Sequence, residues 1–282
     1  MKRICLAVAA LLLCSFPPAA AITYGEPDGE THPYVGMLIG YDSADPGWFS
    51  CTGTLLSSSV VLTAGHCTAG VGDDMWVTFQ ERPSREGWPV AADYPDQASL
   101  DAARRSYLDA HPDFTSGSAY PHPTYANFSE FPLTYDVGVV LLDAAVPVDS
   151  FGELAPLGTV EALVAGAATP NDAIVETVGY GIQAVQPHPL NEDWRYRSTS
   201  RIVELKSDVA RAFNLHTLNN PSPIGGRGGS CRGDSGGPVL VPGTNLVVAV
   251  VSWGPSGTCH GADYSWRVDT AVSQDFVLPF VG

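Results

Sequence analysis

The feature that most constrains what this chain can fold into is a series of short β-branched apolar runs separated by clusters of Gly, Asp and Ser. They fall at residues 34–39, 54–63, 75–79, 137–142, 173–178, 201–204, 239–241, 246–252 and 264–268. Runs of this length with turn chemistry between them read as strands, and many such strands in succession read as a sandwich or as barrels. One stretch breaks the series. Residues 81–130 are rich in Pro, Asp, Ser and Tyr, with 97–109 the only helix candidate among them. We read this as a long surface excursion, because ordinary connections in a compact domain are far shorter. Residues 270–280 read as a short terminal helix. A chain of 282 residues is long enough to bury a substantial core as one all-β unit.

The N-terminus has a different character. Lys2 and Arg3 precede an apolar run at 4–16 and the small residues Ala19, Ala20 and Ala21, the pattern of an export signal cut after residue 21. The run is too short for a comfortable membrane anchor, and no later segment reads as transmembrane. A secreted chain of 261 residues is expected, with 12 bases against 30 acids and a formal charge of minus 18. Nucleic acid is excluded as a partner, since a phosphate backbone needs a basic face and Lys occurs only at Lys2 and Lys206.

Cys5 and Cys14 would leave with the signal, so Cys51, Cys67, Cys231 and Cys259 remain. Four cysteines allow three pairings. Export favours disulfides over a metal site, and no compact Cys/His spacing argues for a metal. Proximity in sequence favours Cys51 with Cys67 and Cys231 with Cys259.

Three stretches carry nucleophile chemistry. Gly233-Asp234-Ser235-Gly236-Gly237-Pro238 runs into a strand and reads as a nucleophile turn, although Gly-rich turns with Asp and Ser are also ordinary loop chemistry. Leu62-Thr63-Ala64-Gly65-His66-Cys67 ends a strand in a His beside a cysteine. A bridge from Cys67 to Cys51 would hold the backbone of that His rigidly, as a general base requires. Tyr135-Asp136-Val137-Gly138 places an Asp at the head of a buried strand, where a turn residue is also common. The order His66, Asp136, Ser235 is that of the chymotrypsin type of triad, and differs from the subtilisin and hydrolase orders.

On these residues the chain resembles the trypsin/chymotrypsin family of serine peptidases across nearly all of residues 22–282. T-A-G-H-C and G-D-S-G-G-P match strongly, D-V-G-V-V-L-L stands where the family has its Asp motif, and Ser252-Trp253-Gly254 matches its substrate-binding strand. Val178-Gly179-Tyr180-Gly181 resembles the family's V-G-W-G, with Tyr for Trp. The resemblance implies two six-stranded antiparallel β-barrels, about 22–150 and 151–268, with the active site between them and a short C-terminal helix at about 270–280. It implies Ser235 as nucleophile, His66 as base, Asp136 as the group orienting the imidazole, and the N–H groups of Gly233 and Ser235 as oxyanion hole. Asp234 would receive the α-ammonium of a newly cut N-terminus. Ile22-Thr23-Tyr24-Gly25 resembles the family's I-V-G-G start, though Thr23 and Tyr24 depart from it. Since Ala21 precedes Ile22, signal cleavage itself is expected to release active enzyme.

By position the floor of the primary specificity pocket is Gly229, with Ser230 beside it, where an Arg/Lys-selective member would carry Asp. Gly254 leaves the mouth open for a large side chain. Asp263 can be aligned two ways. Matched through Arg267 it lies on the pocket wall and would bind Arg or Lys; matched through Tyr264 it faces away, because a one-residue slip reverses every side chain of a strand. We lean to the second register and an aromatic or broad preference.

The separation of His66 and Asp136 exceeds the family's usual, and the excess falls in the excursion; surface loops there border the cleft in the family, so it is read either as adding substrate contacts or as a tolerated surface insertion. Asn127-Phe128-Ser129 is a glycosylation acceptor only in a host that glycosylates. Asp73 and Asp74 lack the rest of a calcium ligand set, and neither metal nor cofactor is expected. Protein or peptide substrates, a protein inhibitor and a monomeric state are expected. Two other functions remain open: a catalytically silent binding protein on the same scaffold, and an esterase using the same triad.

Overall fold

The computed structural model describes residues 22–169, 172–185, 188–220 and 228–282. The expected signal at 1–21 lies outside the described residues.

The first barrel is closed by six antiparallel strands: β2 (Val35–Asp42), β3 (Gly47–Ser57), β4 (Val60–Thr63), β7 (Gly138–Leu142), β6 (Thr115–Pro121) and β5 (Met75–Thr78), with β5 returning to β2. The run at 54–63 is therefore two strands. Thr54 pairs with Leu62, and Ser58 and Ser59 turn the chain between them. The expected surface excursion is also corrected, since it contains β6, without which the barrel would not close. β6 carries small residues inward: Gly117 and Ala119 are buried, and a Cβ on Gly117 would sit 2.5 Å from the Leu141 carbonyl oxygen. Small inward residues fill a crowded wall without giving the apolar run by which strands are recognised.

The helix α1 (Gln97–Ala110) forms where expected, capped by Asp96, whose carboxylate accepts from the Ser99 N–H at 2.8 Å. It lies on the outside of the first barrel. Trp48 and Trp76 stack at 5.9 Å and donate their indole N–H groups to Asp101 and Asp109, each at 2.8 Å. Asp74 meets the Arg105 guanidinium at 2.9 Å through both oxygens, and Asp73 accepts from Ser118 at 2.7 Å. Protein groups thus satisfy both acids.

The second barrel runs β9 (Ile174–Gly179), β10 (Tyr196–Glu204), β11 (Asn214–Asn219), β14 (Gly261–Arg267), β13 (Leu246–Trp253) and β12 (Pro238–Leu240), closed by β12 on β9 and β9 on β10. Two short strands join it at the side, β1 (Glu26–Pro27) on β10 and β8 (Glu153–Leu154) parallel to β13. The helix α2 (Thr159–Gly166) covers Val160 against this barrel's core. The last helix, α3 (Ala271–Val281), crosses back to pack on β4 and β7, burying Val277 in the first barrel's core. The C-terminus thereby straps the two barrels together. Both expected disulfides are present, Cys51–Cys67 and Cys231–Cys259. Among the described residues no helix is long and apolar enough to cross a membrane.

Candidate active site

His66 sits in a single 3-10 turn, Gly65–Cys67, at the end of β4, and the bridge from Cys67 to Cys51 on β3 pins that turn. Its backbone N–H donates to Asp136 Oδ1 at 2.8 Å, and its Nδ1 lies 2.9 Å from Oδ2 and 3.1 Å from Oδ1. Asp136 precedes β7 and is fully buried. A buried carboxylate needs several donors. The Ser252 hydroxyl supplies another, donating to Oδ2 at 2.5 Å. Burial alone would push the Asp136 carboxyl up, but the charge and hydrogen bond of His66 and the Ser252 hydroxyl hold it below the usual range. Burial alone would lower the His66 imidazole, and the Asp136 carboxylate outweighs this and leaves it raised.

Ser235 arrives from the second half of the chain. Its carbonyl accepts from the Thr52 N–H on β3 at 2.8 Å and lies 3.6 Å from Cys67 Sγ, which places the turn against the strand and bridge that hold His66. Gly233 has φ 97° and its carbonyl accepts from the Thr52 hydroxyl at 2.8 Å. A side chain at that φ would be strained, and glycine is not. The N–H groups of Asp234, Gly236 and Gly237 all bond to backbone carbonyls; among the described residues nothing accepts from those of Gly233 and Ser235. Two unclaimed donors beside a Ser hydroxyl are what an oxyanion hole requires.

Asp234 is fully buried and accepts from the N–H groups of Gly181 and Cys231, each at 2.8 Å. Burial, with the Asp263 carboxylate adding to it, pushes its carboxyl up to about 7. Ile22 is also fully buried, and the next residue, Thr23, bridges to Gly229 and donates to the Asn219 carboxamide at 2.7 Å.

A pocket of about 300 Å³ opens beside Ser235, lined by Ser230, Ser252, Trp253, Gly254 and the Cys231–Cys259 bridge, with Asp263 on its wall. This settles the register of β14 and corrects our leaning. Val251 pairs with Ser265 and Trp253 with Tyr264, so a bulge at Ser252 absorbs one residue. Asp263 therefore turns inward, where Oδ2 accepts from the Ser230 N–H at 2.7 Å, and Tyr264 stacks on Trp253 instead. The Gly229 floor is closed: a Cβ there would meet Asn219 at 2.4 Å and Asp263 Oδ2 at 2.6 Å. An acid on that floor would have no room because the acid already comes from the opposite wall. Burial pushes the Asp263 carboxyl up to about 6.

The structure thus holds His66 on Asp136 and gathers Ser230, Ser235, Ser252, Trp253, Gly254 and Asp263 around one pocket, while among the described residues Asp234 is bonded to the Gly181 and Cys231 N–H groups and not to Ile22; two duties that sequence reasoning missed also emerge. Ser252, expected to contact substrate, spends its hydroxyl on Asp136; a lone polar residue ending the run L-V-V-A-V-V was its signal. Asn219 had none. Its Nδ2 donates to the Ser230 carbonyl at 2.8 Å, holding the segment that in turn holds Asp263.

A His paired to a buried Asp from one barrel, with a Ser in a Gly-rich turn of the other, on two closed six-stranded antiparallel barrels, defines the chymotrypsin-type serine-peptidase class. Comparison with known proteins narrows this. The Trypsin family model matches residues 26–277, and the chain belongs to that family. A trypsin of Phaedon cochleariae is 29% identical over 245 residues, covering 82% of this chain and 83% of its own length. The phenoloxidase-activating enzyme of Bombyx mori is 26% identical over 80% of this chain, which spans 52% of that protein. Among solved structures, the HL collagenase superposes with a TM-score of 0.65 at 16% identity, covering 93% of this chain and 99% of its own.

Proposed function

We propose that this chain is a secreted serine endopeptidase that cleaves peptide bonds through an acyl-enzyme, preferring Arg or Lys before the scissile bond. The observation that carries the reading is Ser235 lining the pocket with the unclaimed N–H groups of Gly233 and Ser235 in its own turn, together with His66 held by Asp136 on the strand and bridge that the Ser235 turn packs against. Ser235 Oγ attacks the carbonyl carbon as His66 takes its proton, the two N–H groups receive the oxyanion, and His66 returns the proton to the leaving amine. Water then repeats the sequence to release the acid. Asp263 supports the preference, because its buried carboxylate has a backbone N–H but no cation among the described residues, and a basic side chain would supply one.

Activation is proposed to follow from removal of residues 1–21. Ile22 is held at φ 52°, a costly conformation for a β-branched residue, and cutting the preceding peptide abolishes that torsion. The new ammonium would then reach Asp234. Secreted material starting anywhere other than Ile22 would contradict this.

The test is labelling of the processed protein with a serine-reactive phosphonate, alongside Ser235→Ala. Wild type should label and turn over peptide, and the variant should do neither. Absence of wild-type labelling would favour a silent binding protein, and ester turnover without peptide turnover an esterase.

A further inference from the structure

The segment that follows the expected cut is docked by a side chain as well as by its end. Ile22 to Gly25 form a tight turn, closed by the Gly25 N–H donating to the Ile22 carbonyl at 2.7 Å. Within it Tyr24 is half exposed and Thr23 is buried. The Thr23 hydroxyl donates to Asn219 Oδ1 at 2.7 Å and lies 3.1 Å from the Gly229 carbonyl, while the Thr23 carbonyl accepts from the Gly229 N–H at 3.3 Å. The I-V-G-G start has valine at this position, and valine can make neither side-chain bond.

Asn219, the last residue of β11, is fully buried, and its carboxamide is committed on both sides. Nδ2 donates to the Ser230 carbonyl at 2.8 Å, and the side chain also hydrogen-bonds the Asp263 carboxylate. Both of these partners are acceptors, so the amide cannot be reversed and Oδ1 must face a donor. Among the described residues Thr23 is that donor. Ser230 in turn opens the stretch that carries the oxyanion donors. The Cys231 N–H donates to Asp234 Oδ2 at 2.8 Å, and Gly233 and Ser235 follow.

We propose that the Thr23 hydroxyl and the Asn219 carboxamide form a positioning pair, which couples docking of the cut N-terminal segment to the Ser230 end of the nucleophile turn. The inference rests on the peptidase reading and on the cut before Ile22, and deepens both.

An ammonium on Asp234 fixes the end of the segment, and a hydroxyl on a buried carboxamide fixes its register. A buried Oδ1 without a donor is costly, so loss of the Thr23 hydroxyl should weaken docking by on the order of tenfold. Docking also depends on pH. An ammonium paired with a carboxylate keeps its proton above the ordinary α-amino value of about 8, so docking is complete below that value and is lost as pH rises through the raised one. Weaker docking brings the loss to lower pH, by at most about one unit for a tenfold change. The Asp234 and Asp263 carboxyls, raised to about 7 and about 6, are ionised before that loss begins. His260 beside Tyr24, the Glu26–Arg197 ion pair between β1 and β10, and the exposed Arg232 are common to every variant.

The test is the pH profile of kcat/KM toward a peptide amide with Arg before the scissile bond, from about pH 6 to about pH 10, for processed wild type, Thr23→Val, Thr23→Ala and Thr23→Ser. N-terminal sequencing verifies the start at Ile22 in each, and melting temperature verifies the fold. In Thr23→Val and Thr23→Ala the alkaline limb should move to lower pH, with rates on that limb about tenfold below wild type, and Thr23→Ser should restore it. A limb that stays in place in both variants, whether or not their melting temperatures fall, or a wild type without such a limb, would overturn this inference and leave the peptidase reading standing. A wild type that hydrolyses no peptide would overturn both.

Discussion

Among single residues, Ser252 carries the least expected consequence. It belongs to a strand otherwise devoted to the core, and the bulge in that strand frees it from strict alternation, so that its hydroxyl reaches Asp136 Oδ2. Ser252→Ala would leave Asp136 with the His66 donors alone. A charge-assisted bond of this kind contributes about 1.5–3 kcal/mol, so kcat should fall by on the order of tenfold or more. The pH profile adds a signature that a merely structural role would not give. With one donor fewer, Asp136 concentrates its charge on His66, whose already raised pKa should rise again. Because the base must be neutral to act, the acid limb of kcat/KM should move to higher pH, and Ser252→Thr should restore it. An unchanged rate and limb in Ser252→Ala would refute the assignment.

Between elements, the segment following the expected cut is clamped by a buried ionic network. Asp28, just after β1, accepts from Arg195 Nε at 2.8 Å and contacts His32 Nδ1 at 2.6 Å, while Arg195, just before β10, also donates to the carbonyls of Gly29, Val35 and Phe79. Arg195 and Asp28 are both buried, so removing one strands the other. Arg195→Met should cost about 3–5 kcal/mol in denaturant unfolding, and adding Asp28→Asn should recover part of it; additive losses would show that the two do not act as a pair. Burial opposes ionisation of Asp28, but His32 and Arg195 win and lower its pKa. The stability this gives is present above the ordinary carboxylate range and is lost as pH falls through the lowered folded value. None of this was legible beforehand, because an Asp and an Arg 167 positions apart have no local pattern. The strands rich in Val, Leu and Ile were legible, whereas β6 and β11, built from Gly, Ala, Thr, Asn and His, were not. The same contrast holds in the site. His66, Asp136 and Ser235 lie in short motifs whose spacing carries the chemistry, while the inward turn of Asp263 depended on a bulge in the neighbouring strand.

At the scale of the whole molecule, the uncut and cut chains should differ in how stability depends on pH. In the uncut chain Asp234 is buried with two backbone N–H donors, and its carboxyl is raised to about 7. A carboxyl raised on folding binds its proton more tightly in the native state. It therefore favours the fold at acid pH, and that advantage is lost as pH rises from the unfolded value near 4 through about 7. The loss is on the order of a few kcal/mol. Cutting before Ile22 would replace an amide with an ammonium, lower Asp234 toward the ordinary carboxylate range and remove most of that slope. The Asp28 network contributes equally to both forms in this window. Melting temperatures of the full chain and of the chain beginning at Ile22 should therefore lie closest near pH 5 and diverge by neutral pH, with the cut form the more stable. Since residues 1–21 contain no Asp, Glu or His, their removal takes away no side chain that ordinarily titrates between about pH 4 and 7, and parallel curves would show that Ile22 and Asp234 do not pair.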